Sequence, residues 1–344
     1  FSPSADRFAS RMSVDVTAYL PWDLPGPIGH VLDTMSPDLI VFTKTEVWPV
    51  VVDESLRRGM EVALVAGTVV EGSSRLRPLA RVLLAPSWRA LSRVCAVADE
   101  DATRLRSLGV QGDALSVTGD PGIDSAAERA QAADPGAPLL APFNAEARPT
   151  VVAGSTWSSD EDVLIPALAI ARQRVPDIRL ILAPHEPDPD HVAVLSRRLA
   201  ADGWSAATLS SVEESGSAHG VDAVVVDRVG ALADLYTIGQ IAYVGGGFHA
   251  AGLHSVLEPA AARLPILFGP RHHSSRAAAD LIAVDAARSV VGRDALAEAL
   301  VAWLTDDDAR RQAAESAFGY IHKHLGAARR TAAVLFELLR SPNA

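Results

Sequence analysis

The chain has 344 residues, 49% of them hydrophobic and 21% charged, which is enough to bury two α/β cores. Its formal net charge of −11 argues against nonspecific association with nucleic acid, though not against an anionic ligand held in a local pocket. The single cysteine, Cys95, excludes a disulfide framework and a multi-cysteine zinc site, and its setting SRVCAVAD reads as a buried strand thiol.

No run approaches the roughly 18 apolar residues of a membrane span. Basic residues are almost all Arg, with lysine only at Lys44 and Lys323. The chain starts at Phe1 inside FSPSADRF, which reads as the middle of a loop in a truncated product, so a missing anchor or signal there carries no weight.

Apolar runs alternate with amphipathic segments, the pattern of parallel βαβ units. The first part predicts strands at Val14–Leu20, Leu39–Thr43, Val62–Val65, Val94–Val97 and Leu115–Thr118. Helices are expected between them, among them Val50–Arg58 and Glu100–Leu108, the latter closed by Gly109. From about residue 125 to 149 the chain turns to Ala, Pro, Gly and Asp without a period, as in AADPGAPLLAPFNAEARP, and reads as a linker. A second alternating unit follows, with strands at Thr150–Ala153, Ile178–Ala183, Val221–Val226, Ile241–Val244 and Pro265–Phe268. Its helices are placed at Asp160–Ala171, His191–Ala201, Ala231–Ile238 and Val256–Ala262, and the tail from Ala295 to Leu339 is helical. The fold class inferred is α/β: two Rossmann-like domains, 1–124 and 150–344, with an inter-domain cleft and ligand sites at the C-terminal ends of strands, and with the closing helical residues free to cross back onto the first half.

The polar strand ends carry the candidate chemistry. Ile241–Val244 runs into Gly245-Gly246-Gly247, then a loop with His249 and His254, then Glu258 near a helix start. Glycines at such a turn let backbone N–H groups approach a phosphate, unless the turn is a plain strand-to-helix connection. Gly154-Ser155-Thr156-Trp157 follows another strand, where Ser155 and Thr156 either bind phosphate or cap a helix. Ala183-Pro184-His185-Glu186-Pro187 holds a histidine on a rigid turn, and Asp227-Arg228-Val229-Gly230-Ala231-Leu232 opens a helix whose N–H groups face a ligand. There is no GxxxxGK[ST], so this is not a P-loop, and no GxGxxG after a first strand. His249, His254, His272 and His273 lack HExxH or HxH spacing with acids, so no metal is expected. In the first half, YLPWDLP and Lys44-Thr45-Glu46-Val47-Trp48-Pro49 each follow a strand; Glu46 is either an active-site carboxylate or a helix-start acid before Pro49.

FSPS, YLPWDLP, TEVWP, GDPGID, GSTW, APHEP, DRVGALADLY and VGGGFHAAGLHSVLEPAAARLPILFGP occur in the order seen in 3-deoxy-D-manno-octulosonic acid (Kdo) transferases, which the chain resembles from Phe1 to about Pro270. The resemblance implies a GT-B glycosyltransferase fold, CMP-Kdo as donor, a lipid A precursor (lipid IVA) as acceptor and no cofactor or metal. It also implies peripheral contact with the cytoplasmic face of the inner membrane, where Arg75, Arg77 and Arg81 either meet lipid phosphates or form a solvated basic face. By the same resemblance Pro184 and His185 stand where the family contacts CMP. Arg228 with Gly230-Ala231-Leu232 forms the cytidine-phosphate loop, and Gly246, Gly247, His254, Ser255 and Glu258 complete the donor site. Glu46 aligns with a glutamate that stabilises the transition state. Three departures stand out: Gly122 replaces an expected lysine, Ala231 replaces a donor-loop glutamate, and the general-base glutamate is expected upstream of Phe1. A UDP-sugar-dependent GT-B transferase or epimerase is the alternative enzyme, and the losses at Gly122 and Ala231 favour a degenerate nucleotide-binding protein as the non-enzyme reading.

Overall fold

A computed structural model describes residues 13–340. Phe1 with the FSPS segment, and the closing SPNA, lie outside the described residues. The chain divides into two compact units, Phe1–Pro121 with Gly326–Ala344, and Gly122–Leu325.

In the first unit the described strands form one parallel sheet in the order β1 (Leu39–Thr43), β2 (Glu61–Gly67), β3 (Arg93–Ala96) and β4 (Leu115–Val117). Val62, Leu64, Val94 and Ala96 are buried in its core, as the near-continuous apolar runs require of strands covered on both faces. Helices α1 (Pro25–Met35), α2 (Pro49–Arg57) and α3 (Pro78–Arg89) each open on a proline, whose missing N–H is no loss in a first turn. The N–H groups of Val50 and Val51 in α2 donate to the Asp23 carboxylate at 3.2 and 3.1 Å, so the YLPWDLP turn caps a helix 27 residues away. Helix α4 (Asp99–Leu108) starts with three acids that complement its dipole and ends at Gly109, whose φ of 120° suits glycine.

Two expectations are corrected here, and the place of the closing helices is decided. Residues 14–20 are exposed and carry no ladder among the described residues; an apolar run predicts a strand only where a neighbour also takes its N–H and C=O groups. The stretch 125–149 is not a free linker. Its first part continues helix α5 (Pro121–Ala132), because AAERAQA is a good helix former, and Ile123, Ala126, Leu140 and Phe143 are buried in the second unit's core. Nor do all the C-terminal helices belong to the second unit. The last described helix, Ala327–Arg340, lies against β2 and β3 of the first, where Thr331 Oγ1 donates to Thr118 Oγ1 at 2.9 Å.

The second unit's described strands form a parallel sheet in the order β11-β10-β9-β5-β6-β8-β7. These are β5 (Thr150–Thr156), β6 (Arg179–Pro184), β7 (Ala206–Thr208), β8 (Ala223–Val225), β9 (Ile241–Val244), β10 (Ile266–Phe268) and β11 (Ala287–Ser289). Strand residues alternate between two cores, Val152, Ile181, Val224 and Ala242 on one face and Val151, Leu180, Val225 and Ile241 on the other. The chain builds from β5 outward on one side and then crosses to β9 on the other. The strand order therefore reverses between β5 and β9, where a ligand crevice forms in open α/β sheets.

Candidate functional site

At that switch point the end of β5 is irregular. Its register with β6 shifts between Gly154 and Thr156, and Ser155 takes a φ of 54°, a strained value for a residue with a side chain. Helix α6 (Ser158–Arg172) follows, and its third residue, Asp160, is fully buried. Asp160 Oδ2 accepts from the N–H groups of Trp157 at 3.0 Å and Gly246 at 2.8 Å; Oδ1 accepts from the Tyr243 hydroxyl at 3.0 Å and the Phe248 N–H at 3.2 Å. Burial and this carboxylate together push the Tyr243 phenol well above its ordinary pKa. One acid therefore clamps the end of β5, the end of β9 and the glycine loop.

This changes the role of the triple glycine. A Cβ on Gly245 would meet the Ser155 carbonyl oxygen at 2.2 Å, one on Gly246 the Gly252 oxygen at 2.1 Å, and one on Gly247 the Gly269 nitrogen at 2.4 Å. The glycines are needed for close packing of backbone on backbone, and Gly246 also needs its φ of 89°. The N–H of Gly245 donates to Gly154, while those of Gly246 and Phe248 go to Asp160. The sequence leaves two readings for this turn, a phosphate approach or a plain strand-to-helix connection, and the N–H groups of Gly246 and Phe248 are already taken by the buried Asp160 carboxylate.

Around the loop lies a set of stacked rings. The Trp157 indole packs on His249 with centroids 4.0 Å apart and on His185 at 4.6 Å, and His185 approaches His254 at 4.4 Å. Trp157 Nε1–H donates to His254 Nε2 at 3.1 Å. An indole only donates, so His254 Nε2 is the bare nitrogen and its proton sits on Nδ1. Burial, then the neighbouring His185, hold His254 below the usual histidine pKa. Among the described residues no group of three His, Cys, Asp or Glu is placed to hold a metal ion.

A second cluster surrounds Glu258. This carboxylate is half-buried, accepts no hydrogen bond among the described residues, and is pushed above its ordinary pKa by burial, against the pull of Arg129. Arg129, on α5, donates to the Gly230 carbonyl at 2.7 Å and lies 3.7 Å from Asp234. Leu232 and the buried Tyr236 pack on Gly154, joining this cluster to the end of β5.

The expected donor residues thus fall into these two clusters or beside them. Pro184 closes β6 and is buried, while His185 is exposed apart from its stack. Arg228 is bound by Glu213 through both arms of its fork, one at 2.7 Å, which makes it a structural ion pair. Gly230 has a φ of 94°, Ala231 is buried, and Leu232 starts the five-residue helix Leu232–Tyr236. Ser255 is exposed, and its Oγ accepts from the Leu257 N–H at 3.3 Å. Glu46 belongs to the first unit, is exposed after β1, and lies 3.6 Å from Arg75. A cavity of about 430 Å³ opens beside it, walled by Leu20, Ile28, Met35, Ile40 and Trp48. Sequence reading missed Asp160, Trp157 and Arg129 as site residues. The acids after GSTW were visible, but their partners lie 86 residues on.

The family described as 3-Deoxy-D-manno-octulosonic-acid transferase (kdotransferase) matches residues 1–125. The chain is 31% identical over 320 residues to the 3-deoxy-D-manno-octulosonic acid transferase of Bordetella pertussis, covering 91% of this chain and 72% of that protein. It is 24% identical over 328 residues to the enzyme of the same name from Haemophilus influenzae, covering 94% and 74%. A glycosyltransferase structure from Rickettsia africae superposes with a TM-score of 0.62 at 12% identity over 95% of this chain and 85% of that one, a similarity of fold, and the fold is of the GT-B class. With a relative this similar across most of both chains, the protein belongs to the 3-deoxy-D-manno-octulosonic acid transferase family.

Proposed function

We propose that the protein transfers Kdo from CMP-Kdo to a lipid A precursor (lipid IVA) in lipopolysaccharide biosynthesis. The observation that carries this reading is Glu258, a half-buried carboxylate with unused acceptor capacity beside Arg129 and the 230–232 turn. A carboxylate in that state is a ready partner for the hydroxyls of a ribose, and a guanidinium nearby suits the phosphate joined to it. The family's lysine is Gly122 here, but Arg129 stands two helical turns along the same helix and supplies the cation. In the reaction the acceptor hydroxyl loses its proton to a base, its oxygen bonds to the anomeric carbon of Kdo, and CMP leaves with the bonding electrons on its phosphate. Arg129 offsets the charge gained by that phosphate.

The first unit suits a lipid acceptor. The cavity beside Glu46 is apolar, and α3 turns Leu79, Val82 and Leu83 to the surface, each about 70% exposed. These three lie at helical spacing on one face with Arg77 and Arg89 near its ends, which fits a peripheral contact with the cytoplasmic face of the inner membrane. No helix among the described residues is long and apolar enough to cross a membrane.

Calorimetry with CMP tests the donor site. CMP should bind more tightly than UDP, and Glu258→Ala or Arg129→Met should each weaken CMP by about tenfold or more while leaving the unfolding transition cooperative. Tighter binding of UDP, or unchanged CMP affinity in both variants, would remove this site.

A further inference from the structure

The end of the second unit's sheet opposite the glycine loop carries polar chemistry that donor binding does not use. Thr150 begins β5, Arg179 begins β6 and Gln240 immediately precedes β9, so the three lie at one edge of adjacent parallel strands. With Phe143, Arg148 and Ile238 they line a cavity of about 300 Å³.

Arg179 is only 2% exposed, yet its side chain makes one hydrogen bond among the described residues, from Nη2 to Glu146 at a long 3.3 Å. Its Nε is buried and finds no acceptor. The Gln240 side chain also has no hydrogen-bond partner among the described residues, although the residue is only half-buried. A buried guanidinium with idle donors is unfavourable unless something accepts from it. Nearby carboxylates do not meet that need. Asp222 is held by Arg148 at 2.6 Å and Arg172 at 2.9 Å. Glu146 is shared between Arg179, Arg148 at 4.0 Å and His219. Three arginines thus face two carboxylates, leaving one positive charge over at the most deeply buried of them. Burial, and then the like charge of Arg148, depress the pKa of Arg179 against the pull of Glu146 and Asp222.

We infer that this cavity binds a small oxyanion, a phosphate or a carboxylate, gripped by the Arg179 fork and by the Gln240 amide. The planar guanidinium matches both anions with paired N–H donors, and Phe143, 5.6 Å from the guanidinium carbon, walls the site. Glu146 competes with the ligand for the same donors.

Thermal unfolding at constant ionic strength tests this, with inorganic phosphate, acetate or chloride as the only added anion. Phosphate, acetate or both should raise the melting temperature saturably above the chloride baseline, and the more effective of the two identifies the source of the oxyanion. The shift should vanish in Arg179→Met and fall by at least half in Gln240→Ala. Half-saturation should move to about tenfold lower anion in Glu146→Gln, where a competing charge is gone. A shift that survives Arg179→Met belongs to another anion site and overturns the inference, as does the absence of any saturable shift beyond chloride. If Arg179→Met does not fold, the opposed responses of Gln240→Ala and Glu146→Gln decide it, and equal responses in the two would reject it.

Discussion

Asp160 holds more of the donor end of the second unit than any residue that touches solvent there. Its four donors come from Trp157 at the end of β5, from β9 and from the loop after β9, so removing the carboxylate leaves N–H and hydroxyl groups without acceptors in three segments at once. Asp160→Ala should cost about 3–5 kcal/mol in urea unfolding, far above a typical surface substitution. A loss under about 1 kcal/mol would mean that the clamp is not what orders the loop. A sequence shows Asp160 only as one of several acids after GSTW, which reads as an ordinary helix start. Its reach to Gly246 exists only once β5 and β9 are neighbours, a pairing set by the crossover and not by local pattern. Glu258 and His185 were legible because each sits directly after a strand or at a helix start, where polar residues stand out against apolar flanks. Arg228 was legible as a strand-end cation, but its engagement by Glu213 was not.

Elements with a strong period were readable and those defined by their neighbours were not. Leu39–Thr43 and Ile241–Val244 match the strands residue for residue, because each is an apolar run with no polar break except at its ends; Ile241–Val244 is buried throughout, whereas Leu39–Thr43, at the sheet's edge, leaves Val41 exposed. The short strands Ala206–Thr208 and Ala287–Ser289 escaped notice, being three residues long at the sheet's edges. Helix α3 is rich in apolar residues, PLARVLLAPSWR, yet its Leu79, Val82 and Leu83 face lies outside. If that face meets lipid, the native chain should co-sediment with vesicles containing anionic lipid, and less so as salt rises. Leu79→Asp combined with Leu83→Asp should reduce the bound fraction by about tenfold or more, since each leucine forgoes on the order of 1.5–3 kcal/mol of burial. Equal sedimentation of the double variant would send the membrane contact elsewhere.

Among the described residues, two half-buried histidines contribute to the response to acid. His254 and His272 both have folded pKa values held below the ordinary one by burial, and then by a neighbouring histidine, His185 for the first and His273 for the second. Below about pH 6.5 the unfolded chain therefore binds more protons than the folded one, and the stability present at neutral pH is lost as pH falls through the folded values. Glu258 acts in the opposite sense: raised in the folded state, it contributes most below the ordinary carboxylate pKa and loses that contribution as pH rises through its own. The melting temperature should fall from pH 7.5 toward pH 5.5, and His254→Gln should flatten that slope. An unchanged slope would shift the effect to other groups.

The last described helix belongs to the sheet that the chain built first, with the whole of Gly122–Leu325 in between. On a ribosome adding about 5–20 residues each second, β2 and β3 emerge on the order of ten to forty seconds before the segment that covers them. During nascent growth their uncovered apolar flank is exposed to chaperones and to misassembly, while the later unit, being contiguous, is free to mature at once. Excising Gly122–Leu325 as an isolated fragment is therefore straightforward, whereas the other half needs its two pieces spliced together before it has a closed core.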